Sequence, residues 1–276
     1  MHKEGGSHMR HYALIGEKLG HSLSVPIHEA IFAELGLQAD YRLIEIPKES
    51  FDDTVRTLLR TLDGFNVTIP YKQRVMPLLA EIDAPARVIG AVNTVHCGAQ
   101  KGCNTDAAGF TRMLERYGLA PGAGSAAWVL GSGGTARTAR ASLKAMGAGT
   151  VTVVSRHPEG DGEISYDDFY RLFPEAGGLI VNTTPAGMWP RKNPEDLCAI
   201  DITRLDDLLR HATGVADVVY NPPETCLTQA AARAGLPWCT GLYMLIAQAV
   251  EAEAIWQERP MPEGLTDKLM KELKLI

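Results

Sequence analysis

A glycine-rich segment between an apolar run and a helical pattern restricts the fold of this chain more than any other feature. The apolar run at residues 128–130 leads into Gly131-Ser132-Gly133-Gly134-Thr135-Ala136, and helical periodicity follows at residues 135–146. Glycines at such a junction let the backbone turn tightly and approach a pyrophosphate at the N-terminus of the helix. Ala136 replaces the third glycine of the usual Gly-x-Gly-x-x-Gly pattern. The segment therefore predicts a dinucleotide-binding loop at residues 131–135, although a glycine-rich turn without a ligand is the alternative.

The residues around this loop have the pattern of a parallel sheet. Short apolar strands are predicted at residues 127–130, 150–154, 179–182 and 215–219. Continuous apolar strands that alternate with helices are typical of a doubly wound sheet buried on both faces. We therefore predict a Rossmann-like dinucleotide-binding domain at residues 108–237.

The first hundred residues show a second alternation of strands and helices. Strands are predicted at residues 12–15, 41–46 and 64–69, helices at 26–35 and 50–60, and a hairpin at 91–97 and 102–104. The tail is helical at residues 242–257 and 266–273, and the Gly- and Pro-containing segment 117–124 is typical of a hinge. The predicted class is α/β with two domains. The first domain is predicted at residues 9–107.

The residues after the strand 150–154 indicate which dinucleotide is bound. An acidic residue at this place would bind the ribose 2'-hydroxyl of NAD, whereas an arginine accommodates the 2'-phosphate of NADP. Here the strand ends in Ser155-Arg156-His157. Arg156 therefore predicts NADP, with Ser155 as a second hydrogen-bond donor to the phosphate. An arginine in a solvated turn is the alternative.

Polar side chains occur where the first and third strands end. In an extended segment alternate residues face the same way, so Ser22 and Ser24 would direct two hydroxyls at one carboxylate. Helix capping by Ser24 is the alternative. Thr68 lies near the end of the strand 64–69, and Lys72 follows Pro70 at the edge where open α/β sheets bind ligands. These residues predict a ligand site in the first domain.

Two further polar segments belong to the same part of the chain. Asn93 and Thr94 form a polar pair that we expect to be buried, and Asp106 opens the helix after the hairpin. An aspartate at such a place is most often an N-cap.

Jointly, these motifs resemble the shikimate dehydrogenase family, from residue 12 to the C-terminal helix. The matching segments are residues 21–28, 66–72, 91–94, 104–106, 131–136, 182–188, 217–222 and 241–248.

The resemblance implies that the domain at residues 9–107 binds the substrate and is completed by C-terminal helices within residues 238–276. It also implies a role for each matching residue. It implies that Lys72 and Asp106 are the catalytic pair, and that Ser22 and Ser24 bind a carboxylate. The residues that it implies for the hydroxyl groups of the substrate ring are Thr68, Asn93, Asp106 and Gln248, with Tyr220 nearby. Those implied for the cofactor are Gly131, Ser132, Gly133, Gly134, Thr135, Ser155, Arg156, Val218 and Gly241. No metal ion is expected.

The chain also departs from the family at three places. Val25 stands between the second serine and Pro26, where the family has proline directly after the serine. The family's Asn-Arg-Thr is Ser155-Arg156-His157, and its Asp-Gly is Asp106-Ala107. The first departure predicts a small shift in how the helix begins, and the second affects the neighbours of Arg156 but leaves the arginine in place.

The activity implied by the resemblance is the NADP-dependent interconversion of 3-dehydroshikimate and shikimate, a step of chorismate and aromatic amino acid biosynthesis. In such an enzyme the cofactor carries the hydride, and the protein supplies orientation and proton transfer. Two alternatives stay open: a quinate or dual quinate/shikimate dehydrogenase that uses NAD, and a catalytically silent dinucleotide-sensing module.

Composition excludes some partners. The net charge of −6 argues against nucleic acid as the main partner. The chain contains no run of about 18 apolar residues, so no membrane-spanning helix is predicted. The five cysteines are scattered without a Cys-x-x-Cys pair, which favours reduced thiols in the cytoplasm. Residues 1–9 are polar, lack a signal-peptide pattern and are expected to lie outside the fold. We expect a monomer or a homodimer.

Overall fold

The computed structural model describes residues 9–20, 22–190 and 196–273. The chain divides into two compact units. Unit 1 contains Met1–Thr105 and Gln248–Leu275, and unit 2 contains Asp106–Ala247. The assignment of substrate binding to residues 9–107 with 238–276, and of NADP binding to 108–237, stays a prediction. The residues before Met9 lie outside the described part.

Unit 1 is built on a mixed six-stranded sheet with strand order β2-β1-β3-β5-β6-β4. Its elements are β1 (Arg10–Gly16), α1 (Ser24–Leu35), β2 (Ala39–Glu45), α2 (Phe51–Thr61), β3 (Gly64–Val67), β4 (Glu81–Ile82), α3 (Ala84–Ile89), β5 (Thr94–His96) and β6 (Lys101–Cys103). Strand β1 pairs in parallel with β2 and β3, whereas β5 pairs antiparallel with β3 and β6. The predicted hairpin is thus confirmed as β5 and β6.

Three helices complete the element order around the boundaries of the units. Helix α4 (Thr105–Arg116) begins at Thr105, the last residue of unit 1 before the chain enters unit 2. Helix α9 (Leu242–Trp256) contains the point, between Ala247 and Gln248, at which the chain returns to unit 1. Helix α10 (Leu265–Glu272) follows in unit 1. None of the helices in the described ranges is both long and apolar enough to cross a membrane.

The core of unit 1 lies on both faces of its sheet. On α2, the residues Phe51, Val55, Leu58 and Leu59 are buried. Their spacing of i, i+4, i+7 and i+8 places them on one side of the helix, where they pack against the apolar side chains of β1 and β3. The opposite face is covered by an aromatic cluster, and its largest members are Tyr12, Phe32, Tyr41 and Trp256. The apolar face of each helix therefore determines which side of the sheet it covers.

A buried polar pair joins α1 to α9 within unit 1. His28 Nδ1 lies 2.8 Å from Glu253 Oε1, and both side chains are fully buried. The imidazole ring stacks on Tyr41, with a distance of 4.1 Å between ring centroids. The other ring nitrogen, Nε2, is buried without a hydrogen-bond partner among the described residues. The contact between His28 and Glu253 thus fixes α1 against the C-terminal part of α9 within unit 1.

Unit 2 contains a fully parallel six-stranded sheet with strand order β12-β11-β10-β7-β8-β9. Its elements are β7 (Ala126–Leu130), α5 (Gly134–Ala145), β8 (Thr150–Val154), β9 (Glu163–Ile164), α6 (Tyr166–Ala176), β10 (Gly178–Asn182), α7 (Leu205–Leu209), β11 (Ala212–Asp217), α8 (Cys226–Arg233) and β12 (Trp238–Thr240). This is the doubly wound dinucleotide-binding order, whose topological switch point lies between β7 and β10. The predicted α/β class with a Rossmann-like domain is confirmed.

Two predicted boundaries differ from the structure for local reasons. The strand predicted to reach residue 69 ends at Val67, and the helix predicted to begin at Pro26 begins at Ser24. Pro26 lies in the first turn of α1, where an N–H has no intrahelical partner, so the proline ring is tolerated. Val25 therefore adds a residue at the start of the helix without breaking it.

The segment predicted as a hinge lies inside unit 2. Leu119 within the segment is buried, and it packs so closely on Gly214 that a Cβ at that glycine would overlap the leucine side chain. The glycines and proline of residues 117–124 therefore form a turn that is anchored by an apolar side chain. The predicted hinge segment therefore does not coincide with a boundary between the two units.

Candidate active site

The two serines lie at the N-terminus of α1. Leu23 has φ −74° and ψ −4°, and Ser24 is already the first residue of the helix, so the extended segment expected around Ser22 is not present. The backbone N–H of Ser24 instead donates to Ser22 Oγ over 3.2 Å. The helix start brings the two residues together, whereas the prediction had relied on strand alternation. His21, which precedes them, lies outside the described residues.

Thr68 and Lys72 are attached to the carboxyl ends of the strands in unit 1. The N–H of Thr68 donates to the carbonyl of Ile15 over 3.0 Å, and the Thr68 carbonyl accepts from Tyr71 N–H over 2.9 Å. The carbonyl of Lys72 accepts from Val92 N–H over 2.8 Å. Both side chains are half-buried. Backbone hydrogen bonds thus hold the turn that carries Lys72.

Asn93 and Gln248 lie on either side of one hydroxyl group in unit 1. Asn93 Nδ2 donates to Thr105 Oγ1 over 3.0 Å, and Thr105 Oγ1 donates to Gln248 Oε1 over 3.4 Å. The backbone N–H of Thr105 donates to Asn93 Oδ1 over 2.7 Å. This N–H begins α4 and has no partner within the helix. Thr105 was not among the predicted site residues, although the Asn-Thr-Asp motif contains it.

Asp106 is the second residue of α4 in unit 2 and is half-buried. Because the helix begins one residue earlier, Asp106 does not act as its N-cap, and the capping alternative is wrong. A carboxylate in the first turn is favoured by the partial positive charge of the helix N-terminus.

The glycine-rich loop of unit 2 joins β7 to α5. Gly131 has φ +100°, a conformation that favours glycine, and its N–H donates to the carbonyl of Val154 over 2.8 Å. Gly133 precedes α5, and a Cβ built on it would meet no atom within 4 Å. The N–H groups that begin α5 are therefore approachable by a ligand. Thr135, predicted as the first helical residue, is the second.

Ser132 and Ser155 contact each other beside this loop. Their Oγ atoms are 3.2 Å apart, Ser155 Oγ donates to the carbonyl of His157 over 3.1 Å, and His157 N–H donates back over 3.2 Å. Ser155 is buried. The single hydroxyl proton of Ser155 is therefore donated within the protein. To donate it to a ligand phosphate, Ser155 would have to break its hydrogen bond to the His157 carbonyl.

Arg156 lies on the rim of a cavity of about 630 Å³ within unit 2. The cavity is lined by Arg156, Tyr166, Tyr170, Thr184, Pro185, Ala186, Asp196, Leu197, Cys198, Ala199, Ile200, Asp201 and Ile202. Burial raises the pKa of Tyr166 to about 12, and the nearby positive charge of Arg156 opposes this rise. Arg156 is exposed. The cavity thus combines an exposed cation with aromatic and aliphatic walls, which suits a charged aromatic ligand.

Val218, Tyr220 and Gly241 follow the strands on the other side of unit 2. Val218 N–H donates to the carbonyl of Asn182, and Gly241 N–H donates to the carbonyl of Val219, each over 3.0 Å. A Cβ at Gly241 would overlap the carbonyl oxygen of Val218, so this close approach requires glycine. Tyr220 is half-buried, and burial raises the pKa of its phenol. The segments that follow the carboxyl ends of β11 and β12 are thereby held together.

A buried carboxylate that the sequence did not single out organises this edge of the sheet. Asp217 Oδ1 accepts from Asn182 Nδ2 over 2.8 Å and from Val219 N–H over 3.0 Å, and its Oδ2 accepts from Thr225 Oγ1 over 2.7 Å. Thr225 is also the N-cap of α8. Asp217 therefore connects the ends of β10 and β11 to the start of α8. The signal was present, since Asp217 and Asn182 each begin a quoted motif.

The buried position of Asp217 predicts a specific pH dependence of stability. Burial raises its pKa from 3.8 to about 6, although hydrogen bonds from Thr225, Val219 and Asn182 oppose the shift. Because the folded pKa is the higher one, this carboxyl favours folding at low pH, and the contribution is lost as the pH rises from about 4 to about 6. The loss corresponds to about 3 kcal/mol. We expect Asp217→Asn to lack it, as measured by urea unfolding between pH 4 and 7.

The asparagine variant can keep its acceptor towards Asn182 and Val219 and donate to the Thr225 hydroxyl, so it is expected to fold. Asp53→Asn serves as a matched control, since the Asp53 side chain is 94% exposed. A constant difference in unfolding free energy between wild type and Asp217→Asn over this pH range would contradict the prediction.

Among the described residues, no group of three or more His, Cys, Asp or Glu side chains could hold a metal ion.

Known proteins resemble the chain in sequence and in structure. A family model described as the shikimate dehydrogenase substrate binding domain matches residues 14–95. The shikimate dehydrogenase (NADP(+)) of Clostridium beijerinckii is 36% identical over 270 residues, which cover 95% of this chain and 97% of the relative. The match to the model thus lies within unit 1, and the relative extends it over both units.

Two crystal structures give the same result. A chorismate mutase/shikimate 5-dehydrogenase fusion protein from Clostridium acetobutylicum superposes with a TM-score of 0.89 at 38% identity, covering 97% of this chain and 98% of that structure. A shikimate 5-dehydrogenase from Thermus thermophilus in complex with NADP(H) and shikimate has a TM-score of 0.79 at 29% identity, with 95% and 99% covered. Similarity of this extent over the whole length shows that the chain belongs to the shikimate dehydrogenase family.

Proposed function

We propose that this chain is an NADP-dependent oxidoreductase that interconverts 3-dehydroshikimate and shikimate by hydride transfer. The observation that carries the proposal is the full-length match to a Thermus relative whose structure contains both NADP(H) and shikimate. The chain has a candidate side chain at every position where the family resemblance implies one.

The cofactor fit rests on the space and charge in unit 2. The space beside the Cα atom of Gly133 is open, so a pyrophosphate can approach the N-terminus of α5. Arg156 would bind the 2'-phosphate, with the adenosine against the walls of the cavity. Val218 and Gly241 would border the nicotinamide, which supplies the hydride chemistry when it is bound. The residues present fit NADP better than NAD, because no acidic side chain takes the place of Arg156 after β8.

The substrate fit rests on neutral polar groups in unit 1. The hydroxyls of Ser22 and Ser24 at the N-terminus of α1 would bind the carboxylate, and the helix dipole supports an anion there. Thr68, Asn93 and Gln248 would bind ring hydroxyls, together with Asp106, and Tyr220 would lie nearby. Hydroxyl and amide groups can both donate and accept, which suits a polyol ring.

Lys72 and Asp106 would act as the proton-transfer pair. Oxidation of an alcohol by hydride loss requires the hydroxyl proton to leave, and carbonyl reduction requires a proton to be delivered to oxygen. An ammonium can stabilise negative charge on that oxygen and exchange a proton with it. A carboxylate can orient the ammonium and accept a hydrogen bond from the same hydroxyl.

The purified protein is expected to oxidise shikimate with NADP at a higher kcat/KM than quinate with either cofactor. The serine pair and Thr68 fit a carboxylate on a compact ring, and Arg156 fits the 2'-phosphate. Steady-state kinetics on shikimate and quinate, each with NADP and NAD, measures all four combinations. A quinate kcat/KM equal to or above the shikimate value would support the NAD-dependent quinate alternative. Turnover of neither substrate, together with NADP binding, would support the silent sensing module.

We also place this reaction in aromatic amino acid biosynthesis through chorismate, in the cytoplasm. All five cysteines are free thiols in the structure, which supports a reducing compartment. A monomer or a homodimer is proposed, and sedimentation at several protein concentrations distinguishes the two.

A further inference from the structure

A buried side-chain amide occupies the carboxyl end of β10 in unit 2, beside the strand that leads into the glycine-rich loop. Asn182 is the last residue of β10, and it is paired in register with Leu130 of β7. It is 0% exposed. A side chain with no exposed surface does not contact a ligand, so any role of Asn182 in binding passes through the groups to which it is hydrogen-bonded.

All four hydrogen-bonding positions of the Asn182 amide are used within unit 2. Its Oδ1 accepts from the N–H of Thr184 over 2.9 Å and from the Thr184 hydroxyl over 2.7 Å. Its Nδ2 donates to the carbonyl of Ala186 over 3.3 Å and to Asp217 Oδ1 over 2.8 Å. Because a backbone N–H only donates and a carbonyl only accepts, these partners fix the orientation of the amide.

The turn at residues 184–186 depends on this amide for its own hydrogen bonds. An asparagine commonly accepts from the N–H two residues further on, and Thr184 is that residue here. Pro185 has no N–H. The N–H of Ala186 donates over 3.2 Å to the Thr184 hydroxyl, which itself donates to Asn182. Removing the Asn182 side chain therefore takes away the acceptor on which both N–H groups of the turn depend.

The same turn contacts the proposed cofactor site at two places. The methyl group of Thr184 packs against the first glycine of the loop, since a Cβ built on Gly131 would lie 2.9 Å from Thr184 Cγ2. Thr184, Pro185 and Ala186 also line the cavity that has Arg156 on its rim. The bond from the Thr184 hydroxyl to Asn182 favours one side-chain rotamer of Thr184, the rotamer that directs the methyl group at the loop.

We propose that Asn182 is a positioning residue for the cofactor, which holds the turn at residues 184–186 in the shape that the loop and the cavity require. The proposal rests on the proposed binding of NADP to these two features. They are assigned to the pyrophosphate and the adenosine, which NADP and NAD share. Asn182 therefore supports the affinity for both dinucleotides, whereas Arg156 serves only the 2'-phosphate.

Replacing Asn182 by alanine is expected to raise the dissociation constants of NADP and NAD by the same factor, roughly 10-fold, as the loss of one or two hydrogen bonds implies. Thr183 N–H still donates to the Leu130 carbonyl and Gly187 N–H to the Asp196 carbonyl, so the disturbance is confined to the turn. The KM for shikimate at saturating NADP should stay within about twofold. Titration calorimetry measures the dissociation constants, and an NADP affinity within about twofold of wild type would overturn the proposal.

Thr184→Val tests the same contact from the other side. Valine keeps the shape of the side chain and removes the hydroxyl that donates to Asn182. Because both variants break this bond, the double variant should bind NADP little more weakly than Asn182→Ala alone. Losses that multiply independently would contradict the proposal. Should Asn182→Ala fail to fold, Thr184→Val decides alone, since it retains the bond between Asn182 and Asp217, and an unchanged NADP affinity would count against the proposed role.

Ile180→Val is the matched control on the same strand. Ile180 is fully buried in the apolar core of unit 2, so removing one methyl group lowers stability and leaves the hydrogen bonds of the turn in place. The melting temperature should fall, with the dissociation constant of NADP within about twofold. A loss of NADP affinity equal to that of Asn182→Ala would attribute the effect to stability and overturn the proposal. A wild type that binds NADP without oxidising shikimate would refute the proposed function, while the titrations would still decide the role of Asn182.

Discussion

Replacing Lys72 by alanine is expected to lower kcat for shikimate oxidation about 10²–10⁴-fold, the usual contribution of a positioned acid or base. The KM for shikimate should stay within a few-fold, because the ammonium is proposed to interact mainly with charge that develops on the reacting oxygen. A loss confined to kcat marks an interaction made in the transition state. Steady-state kinetics with saturating NADP measures both constants.

The same experiment can show whether Lys72 and Asp106 act as one unit. Asp106→Ala should also lower kcat, and the double variant should lose much less than the product of the two single losses. Interacting residues are non-additive in this way, since the second removal takes away a contact that is already broken. Independent multiplication of the two losses would show that the pair does not exist.

The control for these variants is Lys268→Ala. Lys268 lies on α10 of unit 1 and forms an exposed ion pair with Glu34 over 2.6 Å. Removing an exposed pair should change stability little and leave kcat unchanged. Thermal melting confirms that every variant is folded. A Lys72→Ala enzyme with a kcat near the wild-type value would refute the proposed proton transfer.

The fold of unit 2 was predictable because its signals are local. The predicted strands 127–130 and 179–182 contain continuous apolar runs, which are typical of strands buried on both faces of a parallel sheet. Helix α6 escaped prediction although Ser165 caps it and Phe169 and Phe173 are buried, because Pro174 interrupts its pattern. The short strands β9 and β12 have only two and three residues, too few to show a period.

The residues of the candidate site were predictable from the sequence, but their arrangement in space was not. Ser22 and Ser24 were expected to be aligned by strand alternation, whereas the start of α1 brings them together. Thr105 and Asp217 form hydrogen bonds to residues distant in sequence: Gln248 lies 143 residues from Thr105, and Asn182 lies 35 residues from Asp217. No periodicity records a hydrogen bond of that span. Such contacts depend on packing, which the sequence pattern describes only through its apolar residues.

Arg156→Ala is expected to raise the KM for NADP about 10- to 100-fold and to leave the KM for NAD nearly unchanged. A hydrogen bond between charged groups contributes roughly 1.5–3 kcal/mol, which corresponds to this range. NAD lacks the 2'-phosphate and therefore loses no contact. Arg156 is exposed, so its removal should alter the melting temperature little.

The control for Arg156→Ala is Arg171→Ala, which removes an exposed arginine of α6 that pairs with Asp168 over 2.7 Å. This variant should leave the KM of both cofactors unchanged. Raising the salt concentration should increase the KM for NADP in the wild type more than in Arg156→Ala, because an exposed ion pair is screened. An equal loss for NADP and NAD would assign Arg156 a structural role. The dinucleotide preference would then have to come from another side chain of the same cavity.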